Sequence, residues 1–133
     1  MSIESVEKSC RDLVTATSGK LEWEWEQRML VMLSVFEPKN DADTATAVET
    51  AFPHRWEGMS TDFPDSVGVI VRGLGGLRAG QALLSSDPTV EPVLYCAWWP
   101  WGGGSRVSLR VGCWAADKNR EAEIEKAFRT WFE

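Results

Sequence analysis

The sequence predicts an α+β fold: an antiparallel meander sheet of about five strands, with N-terminal, middle and C-terminal helices packed on it. Apolar residues recur at helical spacing near both ends of the chain, and four strand-like segments in the second half are separated by turns rich in glycine, proline and serine. Strands and helices do not alternate throughout, as a doubly wound parallel sheet requires. We expect one domain over residues 1–133, a common domain size, because no repeat or linker divides the chain.

The first helix is predicted to begin after Ser2, whose hydroxyl can cap it, and to end at Ser18-Gly19. Its apolar positions follow helical spacing and are Ile3, Val6, Cys10, Leu13 and Val14. These positions predict one buried face on the first helix.

Residues 20–36 permit two interpretations. Leucine and tryptophan alternate with Glu22, Glu24 and Glu26, as in a half-buried strand. A helical stripe also fits the apolar residues Leu21, Trp25, Met29, Met32, Leu33 and Phe36. We favour a strand, because the alternation is strict over six residues, and we keep a helix as the alternative.

The remaining elements follow from caps and turn residues. A second helix is predicted after Asp41 or Asp43 and should stop near Pro53, and a loop follows over residues 58–65. Four strands are then predicted: Val67 to Arg72, Leu77 to Ser85, Pro92 to Trp99, and Arg106 to Ala115. The second of these four could also form a short helix. Asp117 is expected to cap the last helix.

Charge and hydropathy restrict the partners. Twenty acidic residues against fourteen basic ones give a formal net charge of -6 and a pI near 4.9. This charge opposes nucleic-acid phosphates and anionic lipid, so we expect neither nucleic acid nor a membrane as a partner, whereas a basic protein would suit. The N-terminus lacks the pattern of a secretory signal and no apolar run could span a bilayer, which predicts a cytoplasmic protein.

No pattern in the sequence indicates a cofactor, a metal or a catalytic set. Cys10, Cys96 and Cys113 lack the spacing of a zinc site or a disulfide framework, so we expect buried free thiols. His54 is the only histidine, and no nucleophile is marked as its partner. The glycines of residues 73–80 lack the context of a dinucleotide-binding loop and predict a hairpin turn instead.

The most informative stretch is the aromatic run of residues 95–104, Tyr-Cys-Ala-Trp-Trp-Pro-Trp-Gly-Gly-Gly. A hairpin turning at Gly104-Ser105 would pair Cys96 with Cys113, Trp98 with Val111 and Trp99 with Arg110. One sheet face would then be core, comprising Cys96, Trp98, Val107, Leu109, Val111 and Cys113. The opposite face would carry Tyr95, Trp99, Trp101, Ser108, Arg110 and Trp114. If no helix covers that second face, it is an interaction surface; if a helix covers it, it is a second core.

The leading hypothesis is a non-enzymatic protein-binding module that docks, and so neutralises or chaperones, a protein partner. Its partner-binding residues would be the aromatic and cationic positions Tyr95, Trp99, Trp101, Arg110 and Trp114, with Glu22, Glu24 and Glu26 as steering charges. In composition alone the chain is similar to immunity proteins, secretion chaperones and phage-encoded inhibitors, a likeness that transfers no residues. The alternatives are a small-ligand binder or small enzyme with a tryptophan-lined pocket, and a self-associating module whose aromatic face closes a homodimer.

Overall fold

The computed structural model describes all residues from Met1 to Glu133 and contains four helices and one six-stranded antiparallel sheet. The helices are α1 (Ile3–Ala16), α2 (Ala42–Ala51), α3 (Asp65–Gly73) and α4 (Lys118–Trp131). The strands are β1 (Glu24–Glu26), β2 (Val31–Phe36), β3 (His54–Glu57), β4 (Ala82–Ser85), β5 (Val93–Trp101) and β6 (Arg106–Trp114). The predicted α+β class is confirmed, and the sheet has one strand more than expected.

The strand order across the sheet is β1-β2-β6-β5-β4-β3. The chain forms the β1–β2 hairpin at one edge and crosses through α2 to β3 at the opposite edge. It then returns strand by strand until β6 lies against β2. The meander therefore extends from β3 to β6, and the central pair joins the two halves of the sequence.

The two faces of the sheet are covered unequally. On the first face, α1, α2 and α4 close a cluster of 20 buried residues that includes Cys10, Val48, Leu109 and Phe128. On the second face, a cluster of only eight residues packs with α3. Most of the hydrophobic stabilisation therefore lies on the first face, and the second face is only partly closed.

The predicted caps of three helices are confirmed. The Ser2 hydroxyl accepts a hydrogen bond from the Ser5 N–H at 3.1 Å, and the Asp41 carboxylate accepts one from the Thr44 N–H at 3.0 Å. The Asp117 carboxylate accepts from the N–H groups of the first turn of α4. Each cap satisfies a donor that the first turn of a helix leaves free.

Residues 20–36 form strands, as we favoured, but as a hairpin of two. The chain turns between β1 and β2, where Leu30 has a φ of 57° and the Glu26 carboxylate accepts a hydrogen bond from the Met29 N–H at 2.5 Å. Trp23 and Trp25 pack against the core of the first face, as the alternation predicts.

The predicted strand Val67 to Arg72 is wrong, because this segment lies within α3. Its β-branched residues are typical of a strand, yet Val67, Ile70 and Val71 also form an i, i+3, i+4 stripe, and all three are buried. As a helix, the segment buries this stripe against residues of β4 and β5 and does not join the sheet as a strand.

The expected hairpin turn over the glycines of residues 73–80 is also wrong, because α3 ends there. The N–H of Gly76 donates to the carbonyl of Val71 at 2.8 Å, and the N–H of Gly75 donates to that of Arg72 at 3.1 Å. Gly75 has a φ of 89°, which a residue with a side chain adopts only with strain. This is the Schellman arrangement of a helix C-terminus.

The remaining strand predictions hold with corrections. The segment Leu77 to Ser85 is a strand only over β4, and β3 was not predicted, because its sequence His-Arg-Trp-Glu has no apolar alternation. The last two strands match their predicted bounds to within two residues. None of the helices has the length and apolar character needed to cross a membrane.

Candidate functional site

The β5–β6 hairpin carries most of the predicted site, and its register differs from the expected one. Cys96 pairs with Val111, Trp98 with Leu109 and Trp99 with Ser108. The turn spans residues 102–105, and all three of its glycines have positive φ. The predicted pairs are therefore wrong by two positions, but a shift of two keeps every side chain on its predicted face.

One half of the second face lies beneath α3, and we call it the covered half. Its buried sheet residues are Val31, Leu83, Val93, Tyr95 and Ala97, which pack with Val67, Ile70 and Val71 of α3. Tyr95 is only 7% exposed, and its ring lies directly over Gly112, where an added Cβ would come within 3.0 Å of three ring and hydroxyl atoms. Burial raises the pKa of the Tyr95 phenol, and nearby acidic groups add to the rise.

The other half has no helix over it, and we call it the open patch. It is formed by Leu33 and Val35 of β2, Trp99 and Trp101 of β5, and Arg106 and Arg110 of β6. Val35 is 43% exposed and Trp101 is 49% exposed. The second face is therefore both a core and a surface, and the aromatic hairpin contributes to each.

Trp101 is held in place although its ring is exposed. Its indole N–H donates to the Ser108 hydroxyl at 3.0 Å, and the Arg106 guanidinium lies 5.6 Å from the ring centroid. Arg106 in turn lies 3.8 Å from the Glu37 carboxylate. Because Ser108 is paired with Val35, the indole lies beside this exposed valine. The two exposed side chains therefore flank Ser108 on the second face.

The centre of the open patch holds a cation on an aromatic ring. The guanidinium carbon of Arg110 is 4.2 Å from the centroid of the Trp99 ring, within the range of a cation–π interaction. Nε and Nη1 of Arg110 and Nε1 of Trp99 are buried without a hydrogen-bond partner. Burial lowers the pKa of Arg110, and the nearby Glu26 carboxylate opposes this effect. The patch thus contains enclosed donors that have no acceptor within the chain.

The predicted acidic residues lie at the margin of the open patch. Glu24 is exposed on β1 and pairs with Leu33, so its side chain is on the second face. Glu26 is on the same face but is engaged by the β1–β2 turn, and Glu22 is exposed just before β1. Glu22 and Glu24 are therefore the acids available to a partner.

The structure divides the eight predicted partner-binding residues into groups. Trp99, Trp101 and Arg110 lie in the open patch, with the three glutamates at its β1 margin. Tyr95 lies under α3, and the half-buried Trp114 packs at the far end of the covered half, 5.3 Å from the Lys118 ammonium. Leu33, Val35 and Arg106 were missed, although their parity along β2 and β6 places them on this face.

The three cysteines and the single histidine lie outside the open patch. All three cysteines are buried and free, and burial raises the pKa of the Cys10 and Cys96 thiols to about 12. His54 is exposed, and its ring stacks on Trp56 at 6.3 Å. These thiols are too protonated and enclosed to act as nucleophiles.

A groove of about 310 Å³ lies between the β1–β2 turn, α3 and α4. Its lining includes Tyr95, Cys113, Trp114 and Glu125. Burial raises the pKa of the Glu125 carboxyl, and the neighbouring Glu121 adds to the rise. Trp114 is its one tryptophan, and a larger groove of about 500 Å³ beside β1 and α4 likewise has one, Trp25.

Comparisons with protein-family models, curated proteins and solved structures found no match to this chain.

Proposed function

We propose that this protein is a non-enzymatic binding module that docks a protein partner through the open patch. The observation that carries the proposal is that exposed Trp101 and Val35 lie on the same face of the sheet as the Arg110–Trp99 pair. Tryptophan and arginine dominate the binding energy of protein interfaces when they are centrally placed. The patch combines both residue types with an apolar surround.

The patch is also ordered in advance of binding. The ring of Trp101 is hydrogen-bonded to Ser108, and every other member stands on a strand at the centre of the sheet. A side chain that is already fixed loses little conformational entropy when a partner covers it. Burial of Trp101 and Val35 therefore contributes most of its hydrophobic free energy to affinity.

The margin of the patch favours a basic partner. Glu22 and Glu24 are exposed beside it, and the chain has a net charge of -6. Exposed charges of this kind accelerate association with a partner of opposite charge and lose that effect in salt. The partner would supply an acceptor to Nη2 of Arg110, because Nε and Nη1 are already enclosed within the chain.

The experiment compares Trp101→Ala with Val90→Ala, which also removes an exposed apolar side chain but lies in the loop between β4 and β5. Affinity-tagged wild type and variants are used to recover partners from cells of the source organism. A recovered protein is then purified and titrated. We expect Val90→Ala to bind as wild type does and Trp101→Ala to bind at least about tenfold more weakly, a loss of about 1.4 kcal/mol.

The free energy of unfolding is measured for the same variants by denaturant titration. Both should stay within about 1 kcal/mol of wild type, because both side chains are exposed. Equal binding by wild type and Trp101→Ala would refute the docking role of the patch. A loss of binding by Trp101→Ala would also refute that role if the variant had lost its folded structure.

The electrostatic part has its own measurement. Replacing Glu24 with glutamine should slow association with the purified partner at low salt and leave dissociation nearly unchanged. The difference from wild type should vanish as salt is raised. An unchanged association rate at low salt would remove the steering role of this carboxylate.

A further inference from the structure

The outer edge of β3 pairs with no other strand, and its sequence places opposite charges, Arg55 and Glu57, on either side of Trp56. β3 is the last strand of the sheet and consists of His54, Arg55, Trp56 and Glu57. An exposed strand edge presents backbone donors and acceptors that another strand can pair with. Which groups it presents follows from the hydrogen bonds on its inner side.

The inner bonds of β3 fix the direction of each residue. The N–H of Gly58 donates to the carbonyl of Gln81 at 2.6 Å, in line with the pairing of Glu57 with Ala82. Because hydrogen-bonded pairs alternate along an antiparallel ladder, Trp56 and His54 also direct their backbone groups toward β4. Arg55 and Glu57 therefore direct their N–H and C=O groups outward.

These two outward residues are spaced for self-pairing. In an antiparallel pair of two β3 strands centred on Trp56, Arg55 of each copy lies opposite Glu57 of the other. Both residues are of the outward, hydrogen-bonding type, so each such pair can exchange two backbone hydrogen bonds. The Glu57 carbonyl also accepts from the Ser60 N–H at 3.3 Å, and a carbonyl oxygen can accept twice.

The side chains agree with this register. Within one chain, Arg55 Nε lies 2.6 Å from the Glu57 carboxylate, with both groups substantially exposed. Across the two-fold axis each arginine would face a glutamate, so the charges are complementary in both halves of the contact. Trp56 would face its own copy as a non-hydrogen-bonded pair, the arrangement with the closer side chains.

We propose that two copies of this chain associate through β3, with Trp56 on the two-fold axis and Arg55 of each copy opposite Glu57 of the other, to form a continuous twelve-stranded sheet. This surface is distinct from the open patch. The contact involves four residues per copy and ends at Pro53, which has no N–H to donate. It is smaller than a stable interface requires, so the dimer is weak and depends on concentration.

The first measurement is the molecular mass of the wild type by sedimentation equilibrium, from about 10 μM to about 1 mM, the range of a weak interface. We expect the mass to rise from monomer toward dimer over this range. A wild type that stays monomeric throughout would overturn the proposal.

Charge reversal then tests the register. Arg55→Glu places two glutamates opposite each other in both halves of the contact, and Glu57→Arg places two arginines there. Each variant alone should remain monomeric at concentrations where the wild type dimerises. An equimolar mixture of the two should dimerise again, because every opposed pair is then a glutamate and an arginine, and only folded variants can restore it.

Single variants that associate as the wild type does, or a mixture that stays monomeric, would overturn the proposed pairing. Trp101→Ala is the matched control and should dimerise as the wild type does. If Trp101→Ala alone abolished self-association, the open patch would be the homodimer surface and the β3 contact would be refuted. Failure of the docking function would leave the β3 result unaffected.

Discussion

The covered half and the open patch belong to the same face of the same hairpin and yet have opposite roles. Tyr95 and Trp101 are six residues apart on β5 and both project from the second face, but Tyr95 is 7% exposed and Trp101 is 49% exposed. Residue type does not explain this difference in exposure, since both are large aromatic residues on the same strand. The difference is whether α3 lies above.

The extent of α3 decides where the boundary falls. A helix of nine residues is about 14 Å long and about 10–12 Å wide, whereas the nine-residue strand β5 is about 30 Å long at about 3.3 Å per residue. One short helix therefore cannot cover the second face, whereas α1, α2 and α4 together cover the first. An exposed apolar surface on a sheet can thus arise where the covering helix is too short.

The largest expected effect separates the two halves by stability. Leu83→Ala, at a fully buried position of the covered half, should lower the free energy of unfolding by about 2–5 kcal/mol, because it leaves a cavity beneath α3. Val35→Ala in the open patch should cost about 0.5 kcal/mol or less. Denaturant titration of both variants is the measurement, and equal costs would show that the open patch is closed in solution.

A smaller effect is expected from crowding within the covered half. A methyl group at Gly112 would collide with the Tyr95 ring, so Gly112→Ala should cost about 1–3 kcal/mol. In a Tyr95→Leu background the same change should cost less, since the ring has been removed. Additive costs for the two changes would contradict the contact between them.

The pH dependence of stability should reveal the buried phenol. The pKa of Tyr95 is raised in the folded state, because the folded protein disfavours the ionised phenol. The contribution of the neutral phenol to the free energy of unfolding is therefore fully present below the unfolded pKa of about 10. Above that pH the unfolded chain ionises first, and the free energy of unfolding falls by about 1.4 kcal/mol per pH unit. The thiols shift in the same direction, so the difference between wild type and Tyr95→Phe isolates the phenol. Tyr95 is the only tyrosine, and its ultraviolet tyrosinate band should appear only with unfolding.

The smallest expected effect is at the centre of the open patch. Arg110→Met keeps a side chain on the Trp99 ring and removes Nε and Nη1, two donor nitrogens that lack partners. The free energy of unfolding should stay the same or rise by up to about 1 kcal/mol, while binding of the partner weakens. A loss above about 2 kcal/mol would show that Arg110 is a structural residue and not part of a binding surface.

The sequence predicts which face of the sheet each side chain of β5 and β6 occupies. It does not predict which part of that face a helix covers. The faces of β5 and β6 follow from alternation, and they remain correct although the pairing of Trp99 shifted from Arg110 to Ser108. Whether a face is exposed depends on another element. That element, α3, reads as a strand because its stripe is made of valine and isoleucine.

Two signals in the sequence could have corrected this error. Gly75 and Gly76 follow the apolar stripe of α3 at the positions where a helix ends in a Schellman motif. Pro64 and Asp65 stand where a helix begins. β3 left no comparable signal, because its four residues become a strand only through pairing with β4.

The order of the strands also bears on how the chain folds. Met32 pairs with Val111 and Phe36 with Val107, so the central ladder joins residues more than 70 positions apart. Contacts between distant residues form late, because a long loop must close before they stabilise anything. During synthesis, β2 is made more than 70 residues before β6, so the central ladder of the sheet cannot form until β6 has been made. Slow folding, and exposure to chaperones before the last strand is placed, follow from this topology.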